Sequence, residues 1–184
     1  MIVTLSGVTG IGKSFFKKLL VGELEFKNMV INTTRDKRSN EVPGIDKIFL
    51  KDEEFKKLKQ EGKIGYDFEF LGNRYGYSKE DLNSDENLVT EVHYSTIFEF
   101  KKNAKNVFAI YMIPNNLERA KLELKKRNLP KNIEIQRLNE IDEHVKEFSQ
   151  NKKLQKQFDY IFTNNYDEES KKRLLNIIKS KMIN

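Results

Sequence analysis

The sequence has no cysteine, and its 184 residues include only three prolines and nine glycines. Without cysteine there is no disulfide and no thiolate metal site, and an oxidising compartment gains no support. Long hydrophobic runs are also missing: the longest, Val107 to Ile113, falls far short of a bilayer span. The chain opens on a strand-like apolar run and a glycine loop, with no room for a signal peptide, so a soluble cytoplasmic protein is the expectation. Charge is what abounds, with 34 Lys and Arg against 28 Asp and Glu, a formal balance of +6. Of the positive residues 27 are Lys and only 7 are Arg, and 18 Asn accompany them. Scattered lysines of this kind read as solvated surface, not as the footprint of a specific nucleic acid. The arginines are more informative, because the planar guanidinium fork grips two oxygens where Lys is a point charge. They form two groups, Arg35, Arg38 and Arg74, then Arg119, Arg127 and Arg137, with Arg173 apart.

Hydrophobic spacing predicts the order of elements. Ile2 to Leu5 reads as a strand, Phe15 to Leu24 as a helix, and Met29 to Ile31 as a second strand. Asp52 to Gly62 is a short helix stopped by its glycine, and the alternation of Tyr66, Phe68 and Phe70 with polar neighbours predicts a half-buried strand ending at Gly72-Asn73. Leu88 to His93 and Val107 to Ile113 are further strands, the latter apolar enough for the interior of a parallel sheet. From Asn116 the chain is mostly helical, broken at Pro130, with a core stripe of Leu138, Ile141, Val145 and Phe148. Tyr160 to Thr163 is a last strand and Glu168 to Met182 a closing helix. Strands alternating with helices give a doubly wound α/β sheet in one domain, and the β-rich stretch 33–84 reads as an insertion.

Gly7-Val8-Thr9-Gly10-Ile11-Gly12-Lys13-Ser14 matches G-x-x-x-x-G-K-[ST] and stands between a strand and a helix, as a phosphate loop must. Backbone N–H groups from Gly7 through Phe15, with Gly10, Ile11 and Gly12 at the centre, can surround a β-phosphate at the positive end of the helix. Lys13 would neutralise the β and γ oxygens, and the Ser14 hydroxyl would ligate Mg²⁺. These residues imply ATP and Mg²⁺ but leave the reaction open.

Thr33-Thr34-Arg35-Asp36-Lys37-Arg38-Ser39-Asn40-Glu41-Val42-Pro43-Gly44-Ile45-Asp46-Lys47-Ile48-Phe49 resembles the guanylate kinase family pattern T-T-R-x-x-R-x-x-E-x-x-G-x-D-Y-x-F. Gly72-Asn73-Arg74-Tyr75-Gly76 is similar to its G-N-x-Y-G turn, Gln136-Arg137-Leu138 to its lid helix, and Asp159-Tyr160-Ile161-Phe162-Thr163-Asn164 to its final strand. The resemblance covers nearly the whole chain in order. It implies a P-loop nucleoside monophosphate kinase fold: a parallel central sheet flanked by helices, an inserted β-rich acceptor-binding subdomain (33–84), a helical lid (121–137), and a core of 1–32, 85–120 and 138–184.

Phosphoryl transfer to another phosphate needs no general base, only two anions held in line with their charge neutralised. By the resemblance, Arg35, Arg38 and Tyr75 hold the acceptor's phosphate, with Glu41 and Lys47 in the same motif. Lys13, Arg38, Arg127 and Arg137 carry the catalysis, the last two closing from the lid. Glu91 would orient Mg²⁺-bound water or the sugar hydroxyls, and Asn164 would lie beside the ATP base or simply cap a helix.

Several base-reading positions are altered. Ile31 replaces a small polar residue, Lys47 the tyrosine of D-Y-x-F, Tyr66 the glutamate that pairs with guanine, and Tyr77, followed by Ser78, a Ser or Thr. His93 replaces a second acid, and Glu123 one lid arginine. Asp67 or Glu69 would substitute for the missing glutamate only with a shifted register. His93 reads equally as a site residue or a core imidazole, and His144 as surface. The implied reaction is ATP-dependent phosphorylation of GMP or dGMP. Another monophosphate or ribose 1,5-bisphosphate is the alternative acceptor, and a non-catalytic binding module the alternative class. Neither a nucleic-acid nor a membrane partner is implied, and a monomer or a homodimer is equally compatible.

Overall fold

The computed structural model describes residues 1–38 and 41–183. Its elements are β1 (Ile2–Gly7), α1 (Lys13–Glu23), β2 (Lys27–Asn28), β3 (Ile31–Thr33), β4 (Lys47–Phe49), α2 (Asp52–Gln60), β5 (Ile64–Phe70), β6 (Asn73–Ser78), α3 (Lys79–Leu82), β7 (Leu88–Glu91), α4 (Ile97–Asn103), β8 (Val107–Pro114), α5 (Leu117–Lys125), α6 (Lys131–Gln150), α7 (Lys152–Gln155), β9 (Tyr160–Asn164) and α8 (Glu168–Ile183). Five parallel strands form one sheet in the order β2-β7-β1-β8-β9. A second sheet, β4-β3-β6-β5, is built entirely within the inserted stretch, apart from its first residues at Ile31 and Asn32.

The continuous apolar runs of β1 and β8 follow from burial on both faces. Alternate residues divide between two cores: Val3, Leu5, Phe108, Ile110 and Met112 pack with Phe16, Leu20, Phe162, Leu174 and Ile178. Ile2, Ala109 and Tyr111 pack with Ile97, Phe100, Phe148 and Phe158 on the other side. The helical stripe behaves as its spacing predicts, with Ile141 and Phe148 buried and Leu138 and Val145 packed alongside. No helix among the described residues is long and apolar enough to cross a membrane.

Three local expectations change. Of the strand predicted at Met29 to Ile31 only Ile31 is strand: β2 ends at Asn28 and β3 begins at Ile31 in the other sheet, because the chain leaves β7 after Met29 and joins β4 and β6 from Ile31. The predicted turn at Gly72 to Gly76 is mostly strand β6. Only Leu71 and Gly72 turn, both with positive φ, at 50° and 70°, as a two-residue type I′ hairpin loop requires. The strand from Leu88 stops at Glu91, and His93 instead accepts the Ser95 N–H to cap a 3-10 turn. Helices α3, α4 and α7 have too few turns to leave a periodic signal.

Candidate active site

The loop between β1 and α1 is shaped by close backbone approach. At Gly7, φ is 137° and a Cβ would lie 2.4 Å from the Met112 carbonyl oxygen; at Gly10, φ is 83° and a Cβ would lie 2.2 Å from that of Ala120. Any side chain at either position would be both strained and in collision. Helix α1 starts after Gly12 with no side-chain cap and no acidic residue in its first turn. Its first amides are thus left for an outside anion.

Lys13 Nζ donates to the carbonyl oxygens of Gly7 (2.8 Å) and Val8 (2.9 Å), holding the loop closed. Burial lowers its pKa, with Arg127 and Arg137 adding repulsion and Glu91 opposing. Ser14 Oγ donates to Glu91 Oε1 at 2.8 Å across 77 residues of sequence. Burial would raise the Glu91 pKa, but Lys13, Lys17, the Ser14 hydroxyl and Lys47 outweigh it and hold the carboxylate ionised.

These groups open on a cavity of about 620 Å³, of a size suited to a nucleotide. Gly10, Gly12, Lys13, Ser14, Phe15, Arg38, Glu91, Arg127 and Asn164 all line it, as do Arg119 and Tyr166. Burial and neighbouring Arg35, Arg137 and Arg127 disfavour the charged form of Arg38, although Glu41 favours it. Four cations, Lys13, Arg38, Arg127 and Arg137, therefore lie close enough to repel one another, a gathering of positive charge that suits a polyanion.

The acceptor motif is more occupied than its sequence implies. Arg35 Nη2 donates to both Glu41 oxygens (2.7 and 3.0 Å), and the backbone N–H of Arg38 donates to Glu41 at 2.9 Å. Glu41 thus organises the arginine loop, and these contacts keep its pKa low against the effect of burial. Lys47 is within electrostatic reach of Glu91 and Lys17; burial pushes its pKa down to about 8, with Glu91 opposing. Tyr75 stacks on Phe68 with ring centres 5.2 Å apart. Tyr66 stacks on Tyr77 at 6.1 Å and meets the edge of Phe100 at the same separation, so its ring belongs to the packing between the sheets. Asp67 lies on the opposite face of β5, paired with Lys59 at 2.8 Å. Glu69 shares that face, so neither replaces the missing glutamate in the observed register.

Some expected site residues serve other roles. Ser78 Oγ accepts from the Asp81 N–H as the cap of α3. Asn164 is 3% exposed; its Nδ2 donates to the Ile11 carbonyl (2.8 Å) and its Oδ1 accepts from the Tyr166 N–H (2.8 Å), fastening the phosphate loop to the end of β9. Ile11 itself is fully buried, so its side chain belongs to the core. Arg137 donates to Glu140 at 2.6 Å, and the expected lid boundary after residue 137 falls inside the single helix α6. His144 is half-buried, with its ring 4.9 Å from that of Tyr94 and 5.8 Å from that of His93, not the surface residue its charged neighbours imply. Arg119 and Tyr166 went unassigned in sequence: Arg119 Cζ lies 5.7 Å from the Tyr166 ring, and Tyr166 OH donates to Gly10 O at 3.3 Å. The one available signal was that Arg119 is among seven arginines in a lysine-rich chain.

A phosphate loop after the first strand of a parallel sheet, facing a cation-lined cavity beside an inserted second sheet, defines the class of P-loop nucleoside monophosphate kinases. The chain belongs to the guanylate kinase family, whose sequence model, "Guanylate kinase", matches residues 1–181. It is 33% identical over 190 residues to the guanylate kinase of Mycoplasma mobile, covering 97% of this chain and 92% of that protein. It is 28% identical over 185 residues to the guanylate kinase of Oceanobacillus iheyensis, covering 98% and 87%. The crystal structure of guanylate kinase from Anaplasma phagocytophilum superposes with a TM-score of 0.72 over all of this chain and 87% of its own, at 24% identity. Shikimate kinase from Bacteroides thetaiotaomicron shares the fold at a TM-score of 0.53 and 14% identity, covering 97% and 98%.

Proposed function

We propose that the protein transfers the γ-phosphoryl group of ATP to GMP or dGMP, giving ADP and GDP or dGDP. The observation that carries this reading is the convergence of Lys13, Arg38 and Arg127 on one cavity with the Ser14–Glu91 pair at its floor, in a member of the guanylate kinase family. The amides of Gly10 to Phe15 receive the β-phosphate, and Lys13, already poised beside the loop carbonyls, exchanges them for phosphate oxygens. Arg38, with Arg35 ordered by Glu41, holds the acceptor's phosphate in line, assisted by Lys47 and Tyr75. Arg127 and Arg137 neutralise charge on the group in flight from a lid at 121–137, over an acceptor segment at 33–84.

The residues present fit Mg²⁺. A hydroxyl and an ionised carboxylate are 2.8 Å apart beside the loop, and no cluster of three or more His, Asp or Glu among the described residues forms a cage for a metal. That is the sparse oxygen donor set of an ion otherwise ligated by phosphate and water. Ser14 directly and Glu91 by way of water would hold Mg²⁺, which when bound would supply neutralisation of the ATP phosphate charge. The same reading takes the protein as a cytoplasmic monomer or homodimer that acts on small nucleotides and has no specific nucleic-acid partner.

A coupled ADP-release assay with ATP and Mg²⁺ tests the reading against GMP, dGMP, AMP, CMP, UMP and ribose 1,5-bisphosphate. GMP or dGMP should be preferred at least about tenfold, since pockets that hydrogen-bond a base discriminate strongly. Lys13→Ala should lower kcat at least about a hundredfold without unfolding the protein. Preference for another acceptor, or unchanged turnover in Lys13→Ala, overturns it.

A further inference from the structure

The order of the parallel strands gives the cavity a direction. In β2-β7-β1-β8-β9 the phosphate loop leaves β1 at the centre. Glu91 ends β7 on one side of it, next to the inserted stretch that carries Arg38, and α8 follows β9 on the other. A γ-phosphate bound for an acceptor at Arg38 faces the first side, so the rest of the triphosphate extends toward the second. Two cavity-lining residues there are already engaged. Asn164 bonds Ile11 and Tyr166, and Asp167 Oδ1 accepts the Ser170 N–H at 2.8 Å where α8 begins.

Lys171 is different. It lies in none of the sequence motifs, yet it lines the cavity together with Phe15. Phe15 follows Ser14, and one step along a helix turns a side chain by about 100°, which carries the ring away from the Ser14–Glu91 pair. The ring is 48% exposed, while its edge-on neighbour Phe16, 5.3 Å away, is buried against Phe162 of β9 at 5.6 Å. That stack fixes the Phe15 face, and Lys171 Nζ stands 5.2 Å from its centre, where the negative face of the ring attracts an ammonium. The only ion pair that Lys171 makes among the described residues is with Glu168, one turn earlier on α8, whose side chain is 77% exposed. A pair so solvated is weak. With three N–H donors, the ammonium can exchange Glu168 for a phosphate oxygen and stay over Phe15.

We propose that Lys171 is a donor-binding residue whose ammonium, held over Phe15, pairs with the α-phosphate of ATP. This contact, which rests on the direction of ATP in the reading above, adds positive charge beyond the β and γ oxygens assigned to Lys13. Charge on the phosphate chain is then met along its whole length.

The test measures Kd for ATP and for ADP by titration calorimetry with Mg²⁺ and no acceptor, in wild type, Lys171→Met, Lys171→Gln and Lys171→Arg. Methionine keeps the apolar stem without charge, glutamine keeps a neutral hydrogen-bond donor, and arginine keeps the charge. In Lys171→Met and Lys171→Gln both Kd values should rise by the same factor, at least about fivefold, and in Lys171→Arg they should stay within about twofold of wild type. The melting temperature should change by less than about 2 °C, because the Glu168 pair is solvated, and KM for GMP should stay within about twofold. An unchanged Kd in Lys171→Met overturns the proposal. So does a loss confined to ATP, which puts the contact on the γ-phosphate, or recovery in Lys171→Gln, which makes it a neutral contact to sugar or base. A wild type that binds ATP and ignores GMP refutes the guanylate reading and leaves the Kd values to decide on Lys171, whereas good GMP turnover with an ATP Kd insensitive to Lys171→Met refutes only the role of Lys171.

Discussion

Asn164→Ala separates two roles that a residue at the end of β9 can have. If its side chain serves the ATP base, the variant loses ATP affinity and keeps its stability. The structure predicts a different balance. Removing the amide strands the Ile11 carbonyl and the Tyr166 N–H, each now bonded at 2.8 Å, in a position 3% exposed. An orphaned polar group costs about 1–3 kcal/mol, and the half-buried Tyr166 amide falls at the low end, so the pair amounts to about 2–4 kcal/mol. For a domain of this length that lowers the melting temperature by about 5–15 °C. The phosphate loop loses its tie to β9 at the same time, so KM for ATP should rise as well. Thermal unfolding followed by circular dichroism, with ATP kinetics below the transition, gives both readings. A melting temperature within about 2 °C of wild type would refute the reasoning whatever happened to ATP.

Lys47 sets a pH dependence. In the proposed reading its charged form attracts the acceptor's phosphate, and with a value of about 8 it is charged at pH 7 and loses its proton as pH rises through 8. kcat/KM for the acceptor should fall between pH 7 and 9, and Lys47→Arg, which stays protonated, should flatten the decline; a decline unaltered in Lys47→Arg would exclude Lys47 as its source. Gly10→Ala combines φ of 83° with a Cβ 2.2 Å from the Ala120 carbonyl oxygen, so the loop and α5 must separate. A loss of at least about 2 kcal/mol in urea unfolding is expected, and wild-type stability would show that the loop is not held against α5.

Much of the fold was legible because its signals are local. Periodicity marked the buried strands β1 and β8 and the stripe of α6, and glycine spacing marked the phosphate loop. The differences fall where pairing across the chain decides: β6 reads locally as a turn, and only its pairing with β3 and β5 makes it a strand. That Ser78 caps α3 was likewise hidden, because a capping serine shows no sign of the helix behind it in the local sequence.

By itself the sequence determined the chemistry of the phosphate loop and the arginine-rich acceptor motif, since a run of neighbouring residues dictates backbone shape and charge wherever the chain is placed. Only the tertiary structure decided that Ser14 meets Glu91, that Asn164 anchors Ile11, that Lys47 is easily deprotonated and that Lys171 lines the cavity over Phe15. Those properties arise from burial and from partners distant in sequence, which set dielectric surroundings and hydrogen-bond satisfaction that no local pattern encodes.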